Sequence, residues 1–181
     1  MQCTSCKQGK LVHAYLDALF PCHTCEHCGG NFIYLADYLR WIENNKDPKF
    51  VCNQDAALHA DESERALLCP KTGSLMLKYR ISKNTEHRID LSRAINAIWL
   101  DKGEWELLKR EGLAGKLNEI FTDVWQRKVR QAKSADVFDA LYAEHFGENY
   151  EAVKAFRSLL QGMPNKSDVI AYLVSDDPYS V

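Results

Sequence analysis

The stretch FPCHTCEHCGG, residues 20–30, places three cysteines at intervals of three residues. Cys22, Cys25 and Cys28 therefore form two overlapping CxxC pairs, although a metal site or a redox pair uses only two of the three. Another CxxC pair lies near the beginning of the sequence. The fold of the first part of the chain depends on which of the overlapping cysteines act together with that earlier pair.

Two CxxC pairs supply four thiolates, the ligand set of a structural zinc site. The earlier pair is Cys3 and Cys6, and the chain that follows is long enough for a hairpin that returns to Cys25 and Cys28. Glycines follow Cys28, and glycine easily adopts the backbone angles of a sharp turn around a metal. We therefore predict one structural Zn2+ per chain, bound by these four cysteines. Such a site is closed, so it is expected to stabilise the fold and not to hydrolyse a substrate.

A thiol–disulfide redox pair formed by Cys22 and Cys25 is the alternative. A redox CxxC motif is expected at the start of a helix in a βαβ unit. Here Cys28 and two glycines follow, and they favour a metal-binding turn over a helix. The metal site is the preferred hypothesis, and redox chemistry is kept as the alternative.

The composition is that of an ordinary globular protein of 181 residues, and its formal net charge of −2 gives no overall basicity that would indicate nucleic acid. An odd number of cysteines, seven, without a secretory signal favours metal binding in a reducing compartment. The sequence has no apolar run of about 18 residues, the length of a membrane helix. We expect a cytoplasmic protein that is not an enzyme, with no membrane contact and no small-molecule substrate, because the common catalytic and phosphate-binding motifs are absent.

An internal repeat predicts a second unit of similar fold. CPKTG, residues 69–73, matches CTSCK at residues 3–7, and IDLSRAINAIWLDKGEWELL, residues 89–108, aligns without gaps with CHTCEHCGGNFIYLADYLRW, residues 22–41. A single thiol cannot hold zinc, so the second unit is expected to lack the metal and to depend on apolar contacts. The four positions that correspond to the zinc ligands hold Cys69, Thr72, Ser92 and Ile95.

The same alignment places Cys22 on Ile89, a strand position expected to face the core. Cys22 is therefore predicted to be a buried thiol beside the zinc site and not a ligand. A shared metal site that combines Cys52 and Cys69 with a histidine is a further alternative. The histidines considered for it are His59 and His87.

Alternation predicts that SLMLKYRIS, residues 74–82, is a strand that pairs with HRIDL, residues 87–91. One face is expected to be apolar and the other basic. The apolar face comprises Leu75, Leu77, Tyr79 and Ile81.

The segment AIWLDKGE, residues 97–104, resembles the bacterial zinc-ribbon family named after transcription factor IIB, whose pattern is CPxC, a hairpin and CxxCGGxWLDxGEL. The first unit keeps the ligand cysteines of that pattern, with a looser tail, NFIY, at residues 31–34. The resemblance covers roughly residues 1–108, and the remainder resembles the helical C-terminal part of bacterial members with two such units. It implies two ribbons, the second without zinc, and it implies a role in transcription by analogy alone.

The predicted fold class is α+β, with an N-terminal four-cysteine zinc ribbon, a second zinc-less ribbon-like β-hairpin unit and a C-terminal all-helical bundle. The predicted parts are the first ribbon at 1–47, a linker at 48–66, the second ribbon at 67–104 and the helical domain at 105–181.

In the helical part, apolar residues recur at spacings of three and four, and each stripe is expected to be a packing surface. Ser134 and Ser167 are predicted N-caps, and Gly162 is a predicted helix end. The stripes comprise Leu117, Ile120, Phe121, Val124 and Trp125; Val137, Phe138, Leu141 and Tyr142; and Tyr150, Val153, Phe156, Leu159 and Leu160.

Basic residues are concentrated in the middle of the chain, and acidic residues after residue 134. The basic segments are candidates for contacts with phosphates or with an acidic protein, and pairing with acids of the same chain is the alternative. The candidate partner-binding residues are Lys78, Arg80, Lys83, Arg88, Arg127, Lys128 and Arg130.

The functional hypothesis is a non-catalytic zinc-binding protein that acts as a binding or adaptor module for nucleic acid or the transcription machinery. The alternatives are a thiol–disulfide redox protein that uses Cys22 and Cys25, and a protein–protein scaffold.

Overall fold

The computed structural model describes residues 1–45 and 65–179, and these form an α+β fold, as predicted. Most of the predicted linker at 48–66, together with Cys52 and His59, lies outside the described residues. The chain divides into two compact units, Met1–Ala132 and Lys133–Val181. Among the described residues, no helix combines the length and apolar character that crossing a membrane requires.

Six strands form one antiparallel sheet in the first unit, and six α-helices occur in the described chain. The strands are β1 (Leu11–Leu16), β2 (Phe20–Cys25), β3 (Asn31–Tyr34), β4 (Leu77–Arg80), β5 (Arg88–Ser92) and β6 (Ala97–Leu100). The helices are α1 (Leu35–Asn44), α2 (Glu104–Arg110), α3 (Leu117–Ile120), α4 (Asp123–Phe146), α5 (Tyr150–Gln161) and α6 (Lys166–Val174). Short 3₁₀ turns occur at Asp17–Leu19, Ala114–Lys116 and Gly147–Asn149.

The strand order β1-β2-β3-β6-β5-β4 reflects the internal repeat. β1, β2 and β3 correspond to β4, β5 and β6, and the two sets meet at the central antiparallel pair β3–β6. In this pair Phe32 lies opposite Trp99, and these are also the residues that the ungapped alignment matches. The two ribbon-like units are thus related by an approximate two-fold axis through the middle of a single sheet.

Each face of the sheet carries its own apolar cluster. Under one face, Ile33 and Ile98 pack with side chains of α1, α2 and α3, and Trp105 and Leu117 belong to this cluster. The other face buries Phe32, Trp99 and Met76 beside the cysteines of the turns. The predicted start of the helical domain at residue 105 therefore lies inside the first unit, because α2 and α3 cover the sheet.

The pairing of β4 with β5 confirms the predicted hairpin, but the apolar face of its first strand is only partly as predicted. Tyr79 and Ile81 are buried, whereas Leu75 and Leu77 are exposed and Met76 is buried. The alternation fails because the ladder begins only at Leu77, and because both faces of the sheet have an apolar cluster that can receive a side chain.

The helices after residue 122 differ from the sequence prediction in their boundaries. Ser134 lies inside the 24-residue helix α4 and caps nothing. α6 begins at Lys166, so Ser167 lies in its first turn and Asn165 occupies the N-cap position. α5 ends at Gln161 with Gly162 as its C-cap residue, as predicted.

The predicted packing stripes are buried only where they meet the sheet. Leu117 and Ile120 are fully buried, but Val124 is 64% exposed. In the second unit, Phe138 and Leu159 are each 57% exposed, and α5 and α6 contribute no buried residue. The C-terminal part is therefore helical, as predicted, but the apolar stripes of its helices stay largely exposed in the described residues.

Replacing Gly30 with alanine should destabilise the first unit. A Cβ at this position would overlap Cζ2 of Trp99, a fully packed side chain of the other ribbon. Overpacking of this kind costs about 1–3 kcal/mol. The free energy of unfolding from urea denaturation measures the effect. Gly162→Ala is the matched control, because its nearest contact would be 3.6 Å from Leu159 O, and equal effects of the two changes would contradict the prediction.

Candidate metal centre

The metal centre is built from two turns that the first hairpin brings together. Cys3 and Cys6 lie before β1, Cys25 is the last residue of β2, and Cys28 lies in the turn that leads to β3. The pairing of Leu11 with Cys25 fixes the register in which the two turns face each other.

The sulfur atoms of these four cysteines all lie within 4.8 Å of one another. The distance is 3.8 Å between Sγ of Cys3 and Sγ of Cys28, and 3.7 Å between Sγ of Cys6 and Sγ of Cys25. Zn–S bonds of about 2.3 Å in a tetrahedron separate the sulfurs by about 3.8 Å. The donor set and its spacing therefore fit one structural zinc ion, as predicted from the sequence.

Backbone N–H groups point at the sulfurs. The N–H of Gly9 donates to Cys6 Sγ at 3.4 Å, and the N–H of Cys28 donates to Cys25 Sγ at 3.5 Å. Burial opposes ionisation of Cys6, but the N–H groups of Gly9 and Gln8 outweigh it and lower the pKa of this thiol to about 6. These donors stabilise negative charge on sulfur, which a site of four thiolates around a divalent ion requires.

The net pKa shift of two other ligands is opposite to that of Cys6, because burial dominates there. Burial raises the pKa of Cys28 and the pKa of Cys3. These thiols need the positive charge of a bound metal to ionise at neutral pH, so metal binding and folding of the two turns are coupled.

Two glycines shape the site. A Cβ on Gly9 would overlap Cys25 Sγ, so the first turn can approach the second only without a side chain here. Gly29 has a φ of 72°, a left-handed conformation that glycine adopts without steric cost.

Cys22 is separated from the metal centre by the sheet. Because side chains alternate along β2, it lies on the face opposite to Cys25. Its sulfur is 3.5 Å from Thr24 Oγ1 and 3.9 Å from Asn31 Oδ1, and only 2% of the residue is exposed. Burial raises the pKa of the Cys22 thiol. Cys22 is therefore buried and outside the sulfur cluster, as predicted, but on the far side of the sheet and not beside the site.

The second unit keeps the shape of a metal-binding turn without its ligands. Cys69 N–H donates to Ser74 O and Gly73 N–H donates to Cys69 O, the same pattern as Cys25 N–H to Gly30 O and Gly29 N–H to Cys25 O. Gly73 has a φ of 71°, close to that of Gly29.

The thiol of Cys69 is buried but well supported by hydrogen bonds. Burial opposes its ionisation, yet Ser92, Thr72 and the backbone N–H groups of the turn lower its pKa. In the described chain, the four cysteines of the first unit form the sole group of three or more metal-binding side chains. His87 and Cys69 are thus not part of such a group, and the rest of the alternative shared site lies outside the described residues.

Comparison with known proteins agrees with this geometry. Residues 2–44 match the family model described as transcription factor zinc-finger. This segment is therefore similar to the zinc ribbons named after transcription factor IIB. The match ends before the second unit, so the similarity of that unit to a ribbon depends on the sequence repeat and on the strand order. Comparisons with curated proteins and with solved structures yield no significant match.

Such zinc ribbons are typically structural binding modules and not catalysts, and the four-thiolate site is consistent with that role, because it leaves no position for water or substrate. The candidate contacts to a partner therefore lie elsewhere on the surface.

Two of the four predicted partner-binding residues of the second ribbon form ion pairs within the protein. Lys78 Nζ lies 2.9 Å from Oδ2 of the buried Asp90, and Arg80 Nη1 lies 2.8 Å from Glu86 Oε2. Lys83 is exposed near the same hairpin, and Arg88 is partly buried in β5.

A different arrangement holds for the basic residues of α4. Arg127, Lys128 and Arg130 are exposed on the part of this helix that belongs to the first unit. Neighbouring Val129 is buried, so the helix is held on its apolar side while the basic side chains extend into solvent.

Sequence reasoning missed a group of aromatic rings on the first ribbon. His13, Tyr15, His23 and Tyr34 lie near one another on one face of the sheet. The signal was the alternation in LVHAYL, residues 11–16, where two rings occupy every second position.

Cys25→Ser should abolish zinc binding, whereas Cys22→Ser should leave one zinc per chain. Cys25 contributes one of the four sulfurs, and Cys22 lies on the opposite face of the sheet. Elemental analysis of the purified variants measures the zinc content. A loss of zinc in Cys22→Ser with retention in Cys25→Ser would reverse the ligand assignment.

The triple variant Thr72→Cys, Ser92→Cys and Ile95→Cys should bind a second zinc ion per chain. The turn at Cys69 already has the backbone hydrogen bonds of a metal-binding turn. Elemental analysis should then give about two zinc ions per chain. The control is the same triple variant with Cys69→Ser, because its second ribbon has only three of the four sulfurs. Equal zinc content in both variants would show that the second ribbon has not kept the geometry of a four-cysteine zinc site.

Proposed function

We propose that this protein is a non-catalytic binding module that uses its zinc ribbon as a rigid support and binds nucleic acid. The observation that carries the proposal is the exposed basic surface of α4, formed by Arg127, Lys128 and Arg130. Phosphate groups are the general partners of such clustered cations, and they supply most of the affinity of non-specific nucleic-acid binding.

The basic surface of α4 has no ion pair among the described residues, whereas Lys78 and Arg80 of the second ribbon are paired. None of the ion pairs formed among the described residues includes Arg127, Lys128 or Arg130. Lys78, in contrast, is held by Asp90, so its contribution to a partner would require breaking a partly buried pair.

A redox function is poorly supported by the geometry. Cys22 and Cys25 point to opposite faces of a strand, so they cannot form a disulfide without disrupting β2. The pKa of Cys22 is raised by burial, whereas a redox-active cysteine needs a lowered pKa and access to its substrate.

A protein–protein scaffold is the second candidate, and the second compact unit favours it. Its helices expose apolar side chains and enclose a groove of about 440 Å³ lined by Phe138, Tyr142, Phe146 and Val153 among others. Exposed apolar surface of this kind is typical of interaction sites. Nucleic-acid titration separates the two candidates, because a scaffold alone would show no salt-dependent binding.

The triple variant Arg127→Glu, Lys128→Glu and Arg130→Glu should weaken binding to nucleic acid by about tenfold or more at about 100 mM salt, and reduce the salt dependence. Fluorescence anisotropy with labelled DNA and RNA measures both quantities. Arg40→Glu, Lys116→Glu and Lys166→Glu form the control, because they change the net charge equally at exposed positions elsewhere. Equal effects of the two triple variants would show that overall charge, and not α4, governs binding. Absence of binding by the unmodified protein at low salt would refute the proposed function.

A further inference from the structure

The first ribbon carries an exposed group of rings that we call the ring face: His13, Tyr15, His23 and Tyr34. His13 and Tyr15 lie two residues apart on β1, so both side chains point to the same side of the sheet. His13 is paired directly with His23 of β2, and Tyr34 follows on β3. The ring face therefore extends across three adjacent strands.

The rings contact one another edge to face. The ring centroids of His13 and Tyr15 are 5.0 Å apart, those of His13 and His23 are 5.7 Å apart, and those of His23 and Tyr34 are 6.2 Å apart. This mutual packing limits the rotamers of the rings, so less side-chain entropy is lost when a ligand stacks on them.

The rings differ in exposure, and Tyr34 packs against the apolar cluster of this face. Tyr15 is 58% exposed, His13 is exposed, and His23 and Tyr34 are partly exposed. Phe32 lies directly opposite His23 on the same face and is fully buried beside the cysteine turns. The ring face thus borders a covered part of the sheet, and its exposed side is formed by His13 and Tyr15.

The charges around the ring face favour an anionic ligand. Lys71 Nζ lies 5.2 Å from the centroid of the Tyr34 ring. Burial lowers the pKa of His23, and the positive charge of Lys71 lowers it further, while Asp37 opposes this effect. Lys71 therefore supplies a cation directly beside the rings.

The corresponding positions of the second ribbon are occupied by paired charges. The alignment places His23 on Asp90, and Asp90 is the strand partner of Lys78. These two residues form an ion pair of 2.9 Å where the first ribbon has the exposed His13 beside the partly exposed His23. The ring face is therefore a specific feature of the first ribbon and not a consequence of the shared fold.

We propose that the ring face binds single-stranded nucleic acid, with unpaired bases stacked on Tyr15, His13 and Tyr34 and a phosphate near Lys71. This inference depends on the proposed function, since it names the surface and the strandedness of the ligand. Aromatic side chains on an exposed sheet stack bases of any sequence, and the backbone phosphates are met by neighbouring cations. A duplex keeps its bases stacked inside, so it cannot use the rings in this way.

The test compares the unmodified full-length protein with a variant that lacks the rings, His13→Ala with Tyr15→Ala. The probes are a labelled RNA of about 12 nucleotides, the DNA of the same sequence and the corresponding duplexes. Fluorescence anisotropy gives the affinity for each. The variant should lose about 5- to 140-fold in affinity for single strands, the range of stacking on one ring, and much less for duplexes.

Two controls separate ring stacking from other effects. His13→Phe with Tyr15→Phe keeps the rings and should retain most of the single-strand affinity. Leu75→Ala with Leu77→Ala removes exposed apolar area from the second ribbon and should leave binding unchanged. Each variant must keep one zinc per chain, which elemental analysis checks.

The outcomes distinguish the inference from the proposed function. Single-strand binding that is the same in the alanine variant and the unmodified protein overturns the ring face and leaves the function of α4 intact. No binding of any nucleic acid by the unmodified protein refutes both. An equal loss for single strands and duplexes also overturns the ring face, because stacking requires unpaired bases.

Discussion

The antiparallel pairing of β3 with β6 is the interaction on which the first unit depends. It places Phe32 opposite Trp99 and joins two ribbon-like units, each of three strands, into one sheet. An isolated two-stranded hairpin is only marginally stable in water. A sheet of six strands with an apolar cluster on each face is much more stable. The close approach at this pair needs Gly30, because a side chain there would overlap the Trp99 ring.

This shared sheet explains how one ribbon can do without a metal. In the first ribbon two turns surround the four thiolates, and a bound zinc ion would hold those turns together. In the second ribbon, Trp99 Nε1–H donates to Asp101 Oδ1 at 2.7 Å, and Asp101 N–H donates to Glu104 Oε2 at 2.8 Å. These bonds fix the start of α2 on the sheet. Burial raises the pKa of Glu104 to about 7, so this helix start carries a carboxyl group whose charge is costly to bury.

The two ribbons have separate roles in the proposed binding module. In the first, the four candidate zinc ligands lie on and beside the strands that also carry the ring face. In the second, the basic side chains Lys78 and Arg80 are used for ion pairs within the chain. The basic surface of α4 and the ring face both belong to the first compact unit, while the exposed apolar helices belong to the second. The basic surface, the ring face and the exposed apolar side chains thus lie on different parts of the molecule.

The sequence by itself determined the metal ligands and the repeat. Cysteine spacing is a local property, and thiolate chemistry restricts what four such residues can bind. The sequence did not determine that the repeats share one sheet, that Cys22 faces away from the site, or that the rings of β1, β2 and β3 converge. Those features depend on pairing between distant segments, since a strand's partner decides which side chains become neighbours. The burial of apolar stripes was likewise decided by tertiary structure: Leu117 meets the sheet and is covered, while Phe138 follows the same helical periodicity and stays exposed.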